Sequence, residues 1–132
     1  MHHILLFLFF FKCTFLTGQV SENIVWESSV PGDTISEHFV YGLALANNGA
    51  ILAFSEARIK PGDATPHHIV MKTSIDGGRK WSSSQMIIES KDGACYGNPT
   101  PVVDPQTGNV FLFYARNYDN VASDVYFISS ND

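Results

Sequence analysis

Basic residues are scarce in this sequence and form no run. Lys and Arg together number 8 against 13 Asp and Glu, which gives a formal net charge of -5 at pH 7. Proteins that bind nucleic acid neutralise its phosphates with clustered Lys and Arg, so we expect no nucleic-acid partner. The composition is otherwise that of a globular protein, because apolar residues make up 45% of it and are spread in short runs among glycines and prolines.

The sequence also lacks an apolar run long enough to span a bilayer, which takes about 20 residues. Its apolar run at 4–11 is followed by the small residues Thr17 and Gly18 before polar sequence begins. This order is typical of a secretory signal. We therefore predict a signal peptide at 1–18, a mature part at 19–132 without a membrane span, and a protein of the secretory pathway that is secreted or endolysosomal. An uncleaved anchor and an artefactual start are the alternatives.

Cysteine is rare, with only Cys13 and Cys95 in the chain. Cleavage after the predicted signal would remove Cys13, and Cys95 would then pair with a cysteine beyond Asp132 or stay buried and free. His67 and His68 are consecutive residues of a predicted strand, so their side chains point to opposite faces. No cluster of cysteines or carboxylates supports them as ligands. We therefore expect no metal site and no cofactor.

No amphipathic helix of useful length is indicated after residue 18. Short apolar runs alternate instead with turn residues, the pattern of an all-β protein. The tight-turn signal at 47–49, between two apolar runs, predicts a β-hairpin. The predicted strands are 24–26, 39–46, 50–55, 67–73, 85–88, 100–103, 110–115 and 125–129. A polar loop is predicted at 59–66, and a turn at 91–93.

The segment 74–81 has the pattern S-x-D-x-G-x-x-W, formed by Ser74, Asp76, Gly78 and Trp81. The serine and aspartate side chains can bond the backbone of a turn, glycine can take a positive φ, and the tryptophan can cover the turn as an apolar lid. The segment resembles the Asp-box of sialidases and related β-propellers, which recurs once per blade in several blades. The resemblance implies a structural corner and leaves function open.

A second trace of the same pattern ends the chain, where Ser130-Asn131-Asp132 repeats the S-x-D opening after the predicted strand 125–129. The hairpin partner of that strand is missing, so its edge would be unpaired. Short strands at even spacing with a repeated corner motif are typical of propeller blades. At about 40 to 50 residues per blade, the mature part would hold two to three blades. We expect the chain to be the N-terminal piece of a longer protein.

A sharper resemblance lies in two further segments. Residues 53–58 read A-F-S-E-A-R and are followed by Asp63, and residues 98–114 begin N-P-T-P-V-V-D. Both segments resemble animal and bacterial exo-sialidases, and the resemblance covers roughly 39–132. It implies an all-β fold, an incomplete six-bladed sialidase-like β-propeller. It also implies hydrolysis of terminal α-linked sialic acid, with sialylated glycans or glycoproteins as partners and a tyrosine nucleophile in place of a carboxylate.

In this family three arginines bind the carboxylate of the sugar. The resemblance implies that Arg58 is the second of them, that Asp63 is the general acid and base, and that Asn98 contacts polar substituents of the sugar. Each residue has a structural alternative. Arg58 could be a surface arginine paired with Glu56, Asp63 could belong to an ordinary turn, and Asn98, placed in a rim loop, could cap the backbone.

One position departs from the family. Its first arginine lies about ten residues before the hairpin glycine, Gly49, and Phe39 stands at the corresponding place. Loss of an arginine would remove charge-assisted hydrogen bonds worth roughly 1.5 to 3 kcal/mol each. A non-catalytic propeller that binds glycans or a protein is therefore the alternative function, and a truncated product without a folded function is a third reading.

Overall fold

The computed structural model describes residues 20–118 and 122–130. Within these ranges the regular structure is entirely β, which confirms the predicted all-β class. The strands are β1 (Glu37–Leu45), β2 (Ile51–Arg58), β3 (His67–Ser74), β4 (Gln85–Ile88), β5 (Cys95–Val103), β6 (Val110–Tyr118) and β7 (Ala122–Ser130). No helix capable of crossing a membrane occurs in the described part of the chain.

The strands form two antiparallel groups. Strands β1 to β4 pair in chain order as a meander, and β5, β6 and β7 do the same. A single parallel bridge between His67 and Cys95 joins the groups. The resulting sheet is open, with β1 and β7 at the ends of its path. Two consecutive meanders in an unclosed array agree with the predicted incomplete propeller.

The first strands of the two groups approach each other closely at Gly42. A Cβ on this residue would lie 2.5 Å from the ring of Pro101, so only glycine fits there. The apolar core is formed by residues of both groups and is centred on Phe54, Ile69 and Leu112. Because β2 has a neighbour on each side and is covered on both faces, residues 53–58 are all buried. This run includes the last residue of β2, Arg58.

Two predictions about elements were wrong. The segment 24–26 is not a strand. Side chains hold it instead, because the ring of Trp26 stacks on His38 at 5.5 Å and Lys72 Nζ donates to the carbonyl oxygen of Val25 at 2.8 Å. In addition, β5 begins at Cys95 rather than at residue 100.

Some predicted features lie outside the described residues. The signal peptide at 1–18 is one, and the last two residues of the second S-x-D trace, Asn131 and Asp132, are another. They stay predictions.

The turn after β3 is held by its own side chains. Ser74 Oγ, which is buried, accepts the N–H of Gly78 at 2.9 Å, and Asp76 Oδ1 accepts the N–H of Lys80 at 2.9 Å. The Lys80 hydrogen bond, helped by the Ser74 hydroxyl, holds the pKa of Asp76 below its usual value. Gly78 has φ 86°, and a Cβ on it would lie 3.9 Å from Cζ2 of Trp81. The indole therefore packs against the turn.

Replacing Trp81 by alanine is expected to lower the free energy of unfolding by about 2–3 kcal/mol, somewhat less than the ~3–5 kcal/mol for a fully buried tryptophan, because Trp81 is only half-buried. Thermal or denaturant unfolding measures this. Trp81→Phe is the matched variant, since it keeps an apolar ring and loses an indole N–H that has no hydrogen-bond partner among the described residues. An unchanged melting temperature for Trp81→Ala would contradict the packing role.

Candidate functional site

The predicted site residues meet in one cavity of about 340 Å³. It lies where the ends of β1 and β2, the loop 59–66 and the first half of β5 come together, with β6 beside them. The residues that line it are Phe39, Val40, Glu56, Arg58, Asp63, His67, Cys95, Gly97, Asn98, Ala115 and Asn117. Arg58, Asp63, Asn98 and Phe39, which are spread over 60 residues of sequence, are thus brought together by the fold.

Arg58 ends β2 and is only 5% exposed, so it is not the surface arginine of the structural alternative. Its Nε and Nη2 donate to the same oxygen of Glu56, Oε2, at 3.1 and 2.7 Å. Burial alone would lower the pKa of Arg58, but the hydrogen bonds and charge of Glu56, with those of Asp63, raise it above the usual arginine value. The guanidinium is therefore a fixed positive charge in the cavity.

Glu56 is the centre of the site's hydrogen bonding. Its side chain is 4% exposed. Oε2 accepts hydrogen bonds from Arg58, and Oε1 accepts the backbone N–H of Asn98 at 2.9 Å. Gly97 makes this approach possible, since a Cβ on it would lie 2.5 Å from Oε1. Sequence reasoning considered Glu56 only as a partner of Arg58. Its position in a strand that begins with four apolar residues, 51–54, was the available signal, because a carboxylate buried there needs partners.

Asp63 lies in the loop between β2 and β3, where its side chain is 83% exposed. Its Oδ1 is 2.9 Å from Nη1 of Arg58. The residue thus belongs to a turn, as the structural alternative holds, and also faces the predicted arginine. An exposed carboxylate beside the cavity can move toward a ligand without losing buried contacts.

Asn98 does not lie in a rim loop, as predicted, but inside β5. The pairing of β5 with β6 shifts register between Gly97 and Thr100, which marks a β-bulge. Within it Asn98 has φ 54°, a left-handed conformation that asparagine tolerates better than most residues. The bulge exposes the Asn98 side chain at the cavity while Glu56 holds its backbone.

Phe39 occupies the cavity beside Arg58. The centroid of its ring lies 4.5 Å from Cζ of Arg58, a cation–π contact, and 51% of the residue is exposed. The carboxylates of Glu37, Glu56 and Asp63 lie 3.4, 2.7 and 2.9 Å from the guanidinium. Three carboxylates therefore surround the one arginine that lines the cavity in the described structure.

The two adjacent histidines have separate partners. Nε2 of His67 lies 3.1 Å from the carbonyl oxygen of Gly62, and Nδ1 of His68 accepts the N–H of Ser90 at 2.9 Å. Within 20–118 and 122–130, no group of three or more His, Cys, Asp or Glu side chains could hold a metal ion.

Comparison with known proteins finds sialidases by sequence and by structure, while no family model matches. The chain is 32% identical over 75 residues to a sialidase of Vibrio cholerae serotype O1, which covers 52% of the chain and 10% of that protein. It is 31% identical over 70 residues to sialidase-4 of Mus musculus, covering 48% of the chain and 14% of that protein. The chain thus aligns with about a tenth of the length of the curated relatives it matches.

Solved structures give the fold. The Hadza microbial sialidase Hz136 superposes with a TM-score of 0.65 at 16% identity, covering 75% of this chain and 24% of that one. The intramolecular trans-sialidase from Ruminococcus gnavus, in complex with oseltamivir carboxylate, superposes with a TM-score of 0.62 at 19% identity, covering 68% and 23%. The open seven-stranded sheet is accordingly an incomplete β-propeller of the sialidase type.

Proposed function

We propose that this chain, which belongs to the sialidase superfamily, forms part of the active site of a glycoside hydrolase that removes terminal sialic acid from glycoconjugates. One observation carries the proposal. Arg58, Asp63 and Asn98, the residues that the resemblance assigns to the site, line a single cavity although they come from three separate elements. A structural role for each would not require them to meet.

In this proposal Arg58 binds the carboxylate of the sugar. A guanidinium that stays charged and is fixed by Glu56 can donate charge-assisted hydrogen bonds to a carboxylate without reorienting. Nη1 of Arg58 faces the exposed Asp63 in the free protein, and we assign it as the donor to the substrate. Binding of the substrate there would release the exposed Asp63 from its ion pair.

Asp63 then acts as the general acid and base. Once free of Arg58, the carboxylate takes a proton from solvent, gives it to the departing glycosidic oxygen, and as a carboxylate again later takes a proton from water. Such assistance matters because glycoside cleavage passes through a transition state like an oxocarbenium ion, in which negative charge builds up on the leaving oxygen. Asn98, held in the bulge and lining the same cavity, supplies an amide for polar substituents of the sugar.

The test is release of sialic acid from a sialoside by the complete product of the gene, whose transcript is first read through the codon for Asp132. In the family that the chain resembles, the tyrosine nucleophile has a glutamate partner, and we expect hydrolysis from a product that adds this pair and the third arginine to the residues described above. A complete product that releases no sialic acid would rule out the proposed activity. Secretion or endolysosomal delivery, predicted from the segment 1–18, is checked by locating the same product in cells.

A second candidate function rests on Phe39. An aromatic ring stacked on Arg58 stands where the resemblance implies an arginine, and three carboxylates already contact the guanidinium. Such a cavity binds an anionic sugar less strongly than one with a second arginine. A non-catalytic propeller that binds glycans or a protein is the function that this substitution favours.

Replacing Phe39 by arginine is expected to tighten binding of free sialic acid about 10- to 150-fold, because one added charge-assisted interaction contributes roughly 1.5 to 3 kcal/mol. Titration calorimetry measures the affinity. Phe39→Gln, which removes the ring without adding charge, separates the new charge from the lost stacking. If the arginine and glutamine variants bind equally, Phe39 does not correspond to the family's first arginine.

A further inference from the structure

His67 is a buried histidine whose hydrogen-bond partner lies in an exposed loop. Its side chain is 4% exposed, yet Nε2 lies 3.1 Å from the carbonyl oxygen of Gly62, in the loop between β2 and β3. A carbonyl only accepts hydrogen bonds, so the geometry assigns a proton to Nε2. The other ring nitrogen, Nδ1, lies 3.6 Å from Oε2 of Glu56. The ring therefore lies between the loop and the buried Glu56–Arg58 pair.

Gly62 is held at both of its backbone polar groups. Its carbonyl accepts from His67 and from Oγ1 of Thr65 at 3.0 Å, and its N–H donates to Oε1 of Glu37 at 3.3 Å. Its φ of 107° is a conformation that side-chain-bearing residues avoid. Gly62 directly precedes Asp63. A contact that fixes the Gly62 peptide thus also fixes the backbone from which the Asp63 side chain extends.

We propose that His67 is a positioning residue, which anchors the Asp63 loop by its hydrogen bond to Gly62 and so holds the backbone from which the Asp63 side chain extends beside the cavity. The inference rests on the proposed function for its catalytic consequence. His67 acts through Gly62 and transfers no proton to substrate. A histidine that only completed the core would bond to core atoms, whereas this one bonds to a loop whose residues 60–64 are exposed.

Backbone NMR relaxation of the full chain tests the anchor without reference to activity. In the unaltered protein the amides of Gly62 and Asp63 should have order parameters near ~0.85, and in His67→Leu these should fall below ~0.6, the range of flexible segments. His67→Gln keeps a donor at the end of a side chain of similar reach and should restore most of the order. His68→Leu is the matched control, because His68 is adjacent in β3 but bonds to Ser90.

The possible results test the anchoring role of His67 separately from the proposed enzyme activity. Equal order parameters at Gly62 and Asp63 in His67→Leu and His68→Leu would overturn the anchor. An NMR spectrum of the histidine side-chain nitrogens that shows no proton on Nε2 would overturn it as well.

In the complete enzyme, His67→Leu should lower kcat for sialosides with poor leaving groups at least tenfold more than for activated aryl sialosides, with KM little changed. Equal losses on both classes would overturn the link to Asp63. If the unaltered enzyme releases no sialic acid, the proposed function fails, and the relaxation result still decides the anchor.

Discussion

Asp63→Ala is expected to slow hydrolysis of sialosides with poor leaving groups by about 10²- to 10⁴-fold, the usual contribution of a general acid or base. Activated aryl sialosides should lose far less, because their leaving group departs without a proton. We expect this difference between the two substrate classes because the exposed carboxyl group of Asp63 lies 2.9 Å from Arg58, the arginine expected to bind the sugar. The measurement is kcat/KM for both classes of substrate with the complete enzyme.

Two controls make this result specific. Asp63→Asn keeps the size and an acceptor for Arg58 but cannot donate an acidic proton, so it should lose as much activity as the alanine variant toward poor leaving groups. Both variants should unfold within about 0.5 kcal/mol of the unaltered protein, since the side chain is 83% exposed. Equal loss on both substrate classes would remove the acid role from Asp63 and leave it a turn residue.

The fold was predictable wherever a local pattern decides the structure. The hairpin at 47–49 joins β1 and β2, and the predicted strand 85–88 is β4 with the same bounds. The wrong predictions concern segments that depend on distant residues. The apolar segment 24–26 looked like a strand, but its ring stacking and its Lys72 hydrogen bond replace a strand ladder. The early start of β5 depends on pairing with β6 across the bulge.

The candidate site was predictable in the residues that a motif names and not in the residues that support them. Arg58 and Asp63 follow from a motif read along the chain. The roles of Glu56 and His67 do not, because each depends on atoms brought close by folding: the Asn98 amide for one, the Gly62 carbonyl for the other. A buried glutamate or histidine needs a partner, but its place in a strand does not identify that partner in the sequence.

Glu56→Gln is expected to cost about 3–5 kcal/mol of the free energy of unfolding, the usual result of breaking a buried ion pair. Both carboxylate oxygens face donors: Oε2 faces Arg58, and Oε1 faces the N–H of Asn98. A glutamine amide has one acceptor and one donor group, so either orientation sets its NH₂ against another donor. The buried guanidinium also loses its main counter-charge. Because folded domains are stable by only about 5–15 kcal/mol, the shift in the denaturant midpoint should be large.

Glu37→Gln is the matched control for Glu56→Gln. Glu37 also contacts Arg58, but at 3.4 Å and with 29% of its side chain exposed, so its loss should cost no more than about 1 kcal/mol. Adding Arg58→Leu to Glu56→Gln removes the uncompensated charge, and the double variant should lose less stability than the two single losses added together. Equal costs for the two glutamine variants would mean that the site is organised by exposed charges. A large difference with strong coupling would establish Glu56 as the residue that fixes Arg58 in the cavity.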